Sequence, residues 1–258
     1  MWREVVSAHL PITVVFPCFN EAGRLNVDAY LAFAETHPTV RLCFVNDGST
    51  DATLKRLNAV AGRFPGRVEI VSYAKNRGKS GAVRAGVLHV LATHREETDY
   101  IGFWDADLAT PLDEVPRFIA CFEHNPEAYA VVGSRQRQAG TQLERSLIRQ
   151  AIGQIVRVII QRFVQLPIRD TQCGAKFFRC GLAEEIFREP FISRWLFDIE
   201  LFRRMQLMAP ETYLQQHVIE MPLKRWHDVA GSKLSIKDSV RILRELKRIK
   251  THYSHAKA

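Results

Sequence analysis

The chain has no apolar run approaching the roughly 20 residues of a membrane-spanning helix. Its longest candidate, residues 151–168, is broken by Gln154, Arg157, Gln161, Arg162 and Gln165. It shows no leader either, because Leu10 to Phe16 is short, contains Pro11 and runs into Asn20-Glu21. Both features predict a protein that stays where it is made, in the cytoplasm. The five cysteines are odd in number and have no metal-ligand spacing, which excludes a disulfide framework and predicts reduced, mostly buried thiols. A Gly-x-Gly-x-x-Gly turn is missing after the first apolar run, and so is a Gly-x4-Gly-Lys-Ser/Thr loop; nicotinamide enzymes and P-loop nucleotidases are thereby disfavoured. There is no internal repeat, low-complexity block or Pro/Gly/Ser linker to divide the 258 residues. The basic residues are not interleaved with stacking aromatics, so the net charge of +8 predicts no nucleic-acid partner. It fits a phosphorylated substrate or an anionic membrane surface.

What is present starts with Asp105-Ala106-Asp107, directly behind the uncharged run Tyr100-Ile101-Gly102-Phe103-Trp104. The run reads as a buried strand. Two carboxylates at its end are placed to leave the core and bind a hard divalent cation, Mg²⁺ or Mn²⁺, through oxygen. A cation held by so few protein ligands keeps positions open for substrate phosphate oxygens. An acidic turn capping the helix near Asp113 is the plainer alternative for this triplet alone.

The first half alternates strand and helix. Strands are expected at 12–16, 40–45, 67–73, 100–104 and 129–133, with helices at 21–36, 51–63, 79–93 and 113–124. This predicts an α/β, Rossmann-like fold with a mostly parallel sheet covered by helices on both faces. Ligands in such sheets bind at the carboxyl ends of the strands. Polar residues collect there: Pro17 to Glu21, Asn46 to Asp51, Asn76 to Lys79, the Asp105/Asp107 pair, and Gly133-Ser134-Arg135. In the second half, a long helix is expected over 143–166, an extended segment over 172–178, a helix over 195–208, a strand over 213–222 and a loop over 224–233. At the end, Ile236, Val240, Leu243, Leu246 and Ile249 recur at helical spacing among Lys and Arg. Residues 235–258 thus read as a basic amphipathic helix, packed on a domain of residues 1–234 or lying at a membrane surface.

Asp47 is placed to accept N–H from a nucleobase edge or a ribose hydroxyl, and Gly48 lets backbone approach a ligand. Ser49 or Asp51 is better placed to cap the next helix. Arg77 and Lys79 sit at a helix start that suits an anion.

These motifs, in this order, resemble family 2 glycosyltransferases of the GT-A fold. Three further segments narrow the resemblance to the dolichyl- or polyprenyl-phosphate glucosyl- and mannosyltransferase branch: Asp170 to Phe178, Arg194 to Leu201 and Trp226 to Leu234. The resemblance spans about residues 12–234. It implies a nucleotide-sugar donor, Mg²⁺ or Mn²⁺, a lipid-phosphate acceptor and inversion at the anomeric carbon. It also implies that Asp47 contacts the base, that Asp105 and Asp107 hold metal and diphosphate, and that the Arg135 region faces the acceptor phosphate. Pro17, Asn20, Glu21, Ser49, Arg77 and Lys79 are the remaining donor-side candidates.

The chemistry of such an acceptor is distinctive. A hydroxyl needs a general base, whereas a phosphate monoester, with a second pKa near about 6, is already anionic and needs cations to position it. Arg135, Arg145 and Arg149 suit that role, the last two sharing one helix face. Arg225, His227 and above all Lys233 lie on a Gly-containing loop able to close over the diphosphate. Asp170 is either a base or, better, an organiser of arginines. Asp198 and Glu200, on an apolar helix, need buried partners. Asn46 stands where many family members have Asp. The membrane segments of many relatives have no counterpart, so peripheral membrane contact would rest on the terminal helix or on residues 151–166. The expected reaction is hexose transfer, glucose from UDP-glucose, to a polyprenyl phosphate at the cytosolic membrane face. The alternatives are GDP-mannose as donor, a soluble or hydroxyl acceptor, or an inactive nucleotide-sugar-binding protein.

Overall fold

The computed structural model describes residues 11–135, 142–144, 168–227 and 236–254. Arg145, Arg149, Lys233 and residues 145–166 of the helix expected over 143–166 lie outside the described residues.

Nine strands are described: β1 (Ile12–Cys18), β2 (Val40–Asp47), β3 (Val68–Tyr73), β4 (Tyr100–Trp104), β5 (Ala130–Ser134), β6 (Gln142–Glu144), β7 (Ala175–Arg179), β8 (Val218–Pro222) and β9 (Arg225–His227). The helices are α1 (Val27–Thr36), α2 (Thr53–Ala61), α3 (Gly78–Thr93), α4 (Val115–His124), α5 (Cys180–Phe187), α6 (Phe197–Met208), α7 (Glu211–His217) and α8 (Ile236–Ser254). Seven strands form one sheet in the order β3-β2-β1-β4-β7-β5-β8. All neighbours are parallel except β7, which runs antiparallel to both β4 and β5. The chain winds outward from β1 to β3 and then returns to place β4 on the other side of β1. The carboxyl ends of β1 and β4 therefore flank the point where strand order reverses, where α/β sheets bind ligands.

Residues of alternate parity on the strands feed two cores. Val15, Val45, Ile101 and Phe103 join α3, α5, α6 and α8 on one face. Val14, Phe16, Phe44 and Trp104 join α1, α2 and α4 on the other. Helix α3 lies tight on the sheet because Gly86 has no side chain: a Cβ there would sit 2.4 Å from Val15 Cγ1 and 2.7 Å from Val45 Cγ2.

Several boundaries differ from the sequence-based expectation. The first helix starts at Val27 rather than near residue 21, because Asn26 caps it by accepting the Ala29 N–H at 3.1 Å. Residues 143–144 are strand rather than helix, pairing in parallel with β9 inside the expected 224–233 loop. Residues 213–217 belong to α7, which starts after Pro210, and only Val218–Pro222 is strand.

In the terminal helix, Leu246, Ile249 and Tyr253 are buried against the domain while Arg244, Lys247, Arg248 and Lys250 are exposed. The fully buried Glu200 holds this contact. Its carboxylate accepts from the Tyr253 hydroxyl at 3.2 Å and from the Ile192 and Ser193 N–H groups at 3.0 and 2.6 Å. Arg204 donates to the same hydroxyl at 2.9 Å. No helix among the described residues is long and apolar enough to cross a membrane.

Candidate active site

The turns after β1 and β2 are laced together. Asn20, in the left-handed region at φ 52°, accepts the Thr50 N–H at 2.9 Å, and its own N–H donates to Ser49 Oγ at 3.1 Å. Asp51 accepts the Ala22 N–H at 3.1 Å and the Thr53 N–H at 2.9 Å, so it secures the start of α2 from one residue before the N-cap position, Ala52. Ser49 instead serves the β1 turn. Pro17 sits within β1 opposite Val45, with Glu21 just beyond the strand end.

Asp47 is 2% exposed, and both its oxygens are engaged: they accept the N–H groups of Arg77 at 2.8 Å and Gly78 at 2.9 Å. The carboxylate that the sequence suggests as a base contact therefore also builds the entrance of α3. Two glycines make the close approach possible. Gly48 has φ 72° and its Cβ would lie 2.7 Å from Asn76 N; Gly78 has φ 79° and its Cβ would lie 2.9 Å from Arg194 Nε. Arg194 seals the turn by donating to the Asn76 and Arg77 carbonyls, each at 3.3 Å. The Arg77 side chain stacks on Tyr73, with 3.6 Å from Cζ to the ring centroid, and lines a 560 Å³ cavity beside α3 together with Arg84 and Arg194.

Asp105 and Asp107 stand at the end of β4. Strand β7 pairs Ala175 with Trp104, so the preceding residue, Gly174, abuts Asp105. The Asp105 N–H donates to the Gly174 carbonyl at 3.1 Å, and a Cβ at position 174 would lie 1.8 Å from Asp105 Oδ2. Lys79 Nζ donates to Asp105 Oδ1 at 2.5 Å. Asp107 Oδ1 accepts the Ala109 N–H at 3.1 Å, and Arg24 approaches its Oδ2 at 3.9 Å. Arg24 also donates to Glu21 Oε1 at 2.5 Å. Burial and the neighbouring Asp105 raise the Asp107 pKa above its ordinary value. Burial raises that of Glu21 against the opposing pull of Arg24, and Asp107 and Asp105 add to the rise. Glu21 Oε2 is buried and has no hydrogen-bond partner. This set fits a hard divalent cation: the donors are carboxylate oxygens with negative charge in excess. Among the described residues no three His, Cys, Asp or Glu side chains form a ready cage. A cation bound here would take the rest of its coordination shell from substrate oxygens.

On the other side, Arg135 follows β5 and grips Asp170 in a fork. Its Nε and Nη2 donate to Oδ2 and Oδ1, both at 2.8 Å, and its backbone N–H adds a third bond at 2.8 Å. Asp170 is held from behind as well, since Glu220 accepts its N–H at 2.8 Å. Burial alone would raise the Asp170 pKa, but Arg135 drives it well below the ordinary carboxylate range. Trp226 lies 5.5 Å from the guanidinium. Arg225 is engaged elsewhere, in an ion pair with Asp113 on the surface. Burial pushes the nearby Cys173 thiol up to about 12, which removes it as a nucleophile near neutral pH.

A model of glycosyl transferase family 2 matches residues 13–187. The chain belongs to glycosyl transferase family 2. It is 30% identical over 262 residues to the dolichyl-phosphate beta-glucosyltransferase of Saccharomyces cerevisiae, covering 94% of this chain and 75% of that protein. Its fold is that of glucosyl-3-phosphoglycerate synthase from Mycobacterium tuberculosis, solved with Mn²⁺, UDP and glucosyl-3-phosphoglycerate. There the TM-score is 0.64 at 15% identity, over 96% of this chain and 81% of the other. A mannosyltransferase from Pyrobaculum calidifontis, solved with GDP-Man and Mn²⁺, has a TM-score of 0.61 at 15% identity, over 95% and 64% of the two chains. This glycosyltransferase therefore has the GT-A architecture expected from its motifs.

Two features around these residues were not legible from motif spacing. One is Gly174, whose missing side chain makes room for Asp105. The other is Lys176, fully buried within β7, donating to Asp198 Oδ1 at 2.6 Å and to the Cys173 carbonyl at 2.5 Å. A lysine inside an apolar strand and an aspartate inside an apolar helix were the available signal, since each needs a buried partner.

Gly174→Ala is expected to push the Asp105 carboxylate aside and to lower transfer by about 100-fold, with a far-ultraviolet circular dichroism spectrum like that of the parent. Asp170→Asn removes the carboxylate charge that Arg135 grips and is expected to cost about 3 kcal/mol at pH 7, read by urea unfolding. Because the folded pKa of Asp170 is depressed, its contribution is complete above the ordinary value of about 4 and fades as pH falls through the depressed one. The gap between parent and variant is therefore expected to narrow below that pH; a gap of constant size would contradict the assignment.

Proposed function

We propose that this glycosyltransferase transfers glucose from UDP-glucose to a dolichyl or polyprenyl phosphate, with inversion, at the cytosolic face of a membrane. The observation that carries the reading is the state of Asp170. A hydroxyl acceptor needs a general base, but here the Arg135 fork keeps Asp170 anionic and makes it a weak proton acceptor. A phosphate acceptor needs no such base, because its oxygen is already charged. The similarity to the dolichyl-phosphate beta-glucosyltransferase of yeast supports the same acceptor class and the choice of glucose.

In this reading Asp105 and Asp107 hold Mg²⁺ or Mn²⁺, which offsets charge on the departing nucleoside diphosphate. Asn20, Glu21, Ser49 and Asp47 shape the nucleoside side of the cleft. Asp47 fixes the N-terminal turn of α3, whose N–H groups and Lys79 favour the diphosphate. Asp170 presents Arg135 in one rigid orientation for the acceptor phosphate. Arg145 and Arg149 add charge on the acceptor side, and Lys233 closes on the diphosphate. Membrane contact is assigned to the exposed Arg244, Lys247, Arg248 and Lys250 of α8, which suit anionic headgroups.

The test is transfer of labelled sugar from UDP-glucose and from GDP-mannose to dolichyl and undecaprenyl phosphates, with Mn²⁺ and after chelation. Lipid product from UDP-glucose alone, lost on chelation and in Asp107→Ala, is expected. Product from GDP-mannose alone would overturn the donor. Donor hydrolysis, or transfer to a water-soluble acceptor without lipid product, would overturn the acceptor. Donor binding without turnover would leave an inactive binding protein.

A further inference from the structure

The surroundings of Asp105 raise a conflict that its role as a metal ligand does not resolve. One oxygen, Oδ2, occupies the space that a Cβ at Gly174 would need, 1.8 Å from where that atom would sit. The other, Oδ1, is held by Lys79 at 2.5 Å. On Asp107, Oδ1 takes the Ala109 N–H and Oδ2 has only the more distant Arg24. A divalent cation that takes Asp105 Oδ1 meets an ammonium already seated on that oxygen. Two cations cannot share that oxygen at contact distance without strong repulsion.

Lys79 is built to give way. Its side chain is 33% exposed, on a flexible four-carbon stem. Asp198, in the first turn of α6, is a second carboxylate whose charge acts on the ammonium. Asp198 already pairs with Lys176 through Oδ1. Charges of alternating sign therefore run inward from the cleft: Asp105, Lys79, Asp198, Lys176. Away from Asp105 the ammonium still feels the Asp198 carboxylate.

We infer that Lys79 is a resident counter-ion of Asp105 that a divalent metal must displace, so that metal loading releases the ammonium toward the donor diphosphate. The inference rests on the metal reading above. It makes Lys79 an antagonist of the metal before the donor arrives and a partner of the donor afterwards. The affinity of the donor-free enzyme for metal is then held down by the protein itself, and UDP restores it by giving Lys79 another anion.

The experiment is Mn²⁺ binding to the full chain without donor, by the electron paramagnetic resonance signal of free Mn²⁺. Lys79→Met, with Lys79→Gln as a second neutral variant, is expected to bind Mn²⁺ at least about tenfold tighter than the parent. Lys79→Arg, which keeps the charge, is expected to bind no tighter than the parent. UDP is expected to raise Mn²⁺ affinity by a larger factor in the parent than in Lys79→Met. Unchanged or weaker binding in both neutral variants, with binding still abolished by Asp107→Ala, would overturn the displacement while leaving the metal site intact. Retention of Mn²⁺ by Asp107→Ala would overturn the metal reading itself.

Discussion

Strand β7 enters the sheet antiparallel between β4 and β5, and the site depends on that reversal. The segment leading into β7 arrives at the edge where the parallel strands end, so Gly174 lies against Asp105 while Asp170 lies against Arg135. Had β7 run parallel, its polar lead-in would have faced the opposite edge, and both contacts would be lost. One topological choice thus joins residues 35 positions apart in an Arg–Asp fork and brings a backbone against a carboxylate some 70 residues earlier in the chain.

The same strand sets the charge balance. Lys176 is fully buried, which is tolerable only because Asp198, the Cys173 carbonyl and the face of Phe103 surround its ammonium. Breaking such a pair leaves an uncompensated buried charge, so the arrangement commits β7 and α6 to one relative position. Helix α6 in turn carries Glu200, which binds Tyr253 of α8. The terminal helix, the charged pair under the cleft and the carboxylates at its mouth are therefore mechanically connected through one strand and one helix.

The first half of the fold was legible because strands and helices alternate with clear punctuation, and the polar ends of five strands all fall on one edge. Asp105 and Asp107 stood out for the same reason: a charged pair directly behind an uncharged strand. Boundaries were misread where a local bond decides them, as with Asn26 at α1, or where a strand partner lies far away, as with β6 and β9. For Asp170 the sequence left open a base or an organiser of arginines, and its bidentate pairing with Arg135 is visible only in the structure. The part Asp47 plays at the entrance of α3 was hidden, because its partners are backbone N–H groups thirty residues on, and no side-chain pattern marks them. Gly174 was hidden for a similar reason, since a missing side chain leaves no signature until its neighbour is known.

The account stands on the aspartate pair as the place where metal and nucleoside diphosphate meet. The most direct measurement is a crystal structure with UDP and Mn²⁺, the metal located by its anomalous scattering. The account predicts one strong peak within about 2.3 Å of carboxylate oxygens of Asp105 and Asp107, with the UDP diphosphate completing its shell. UDP bound with the metal absent from that pair, or a peak ligated by other residues, would contradict it.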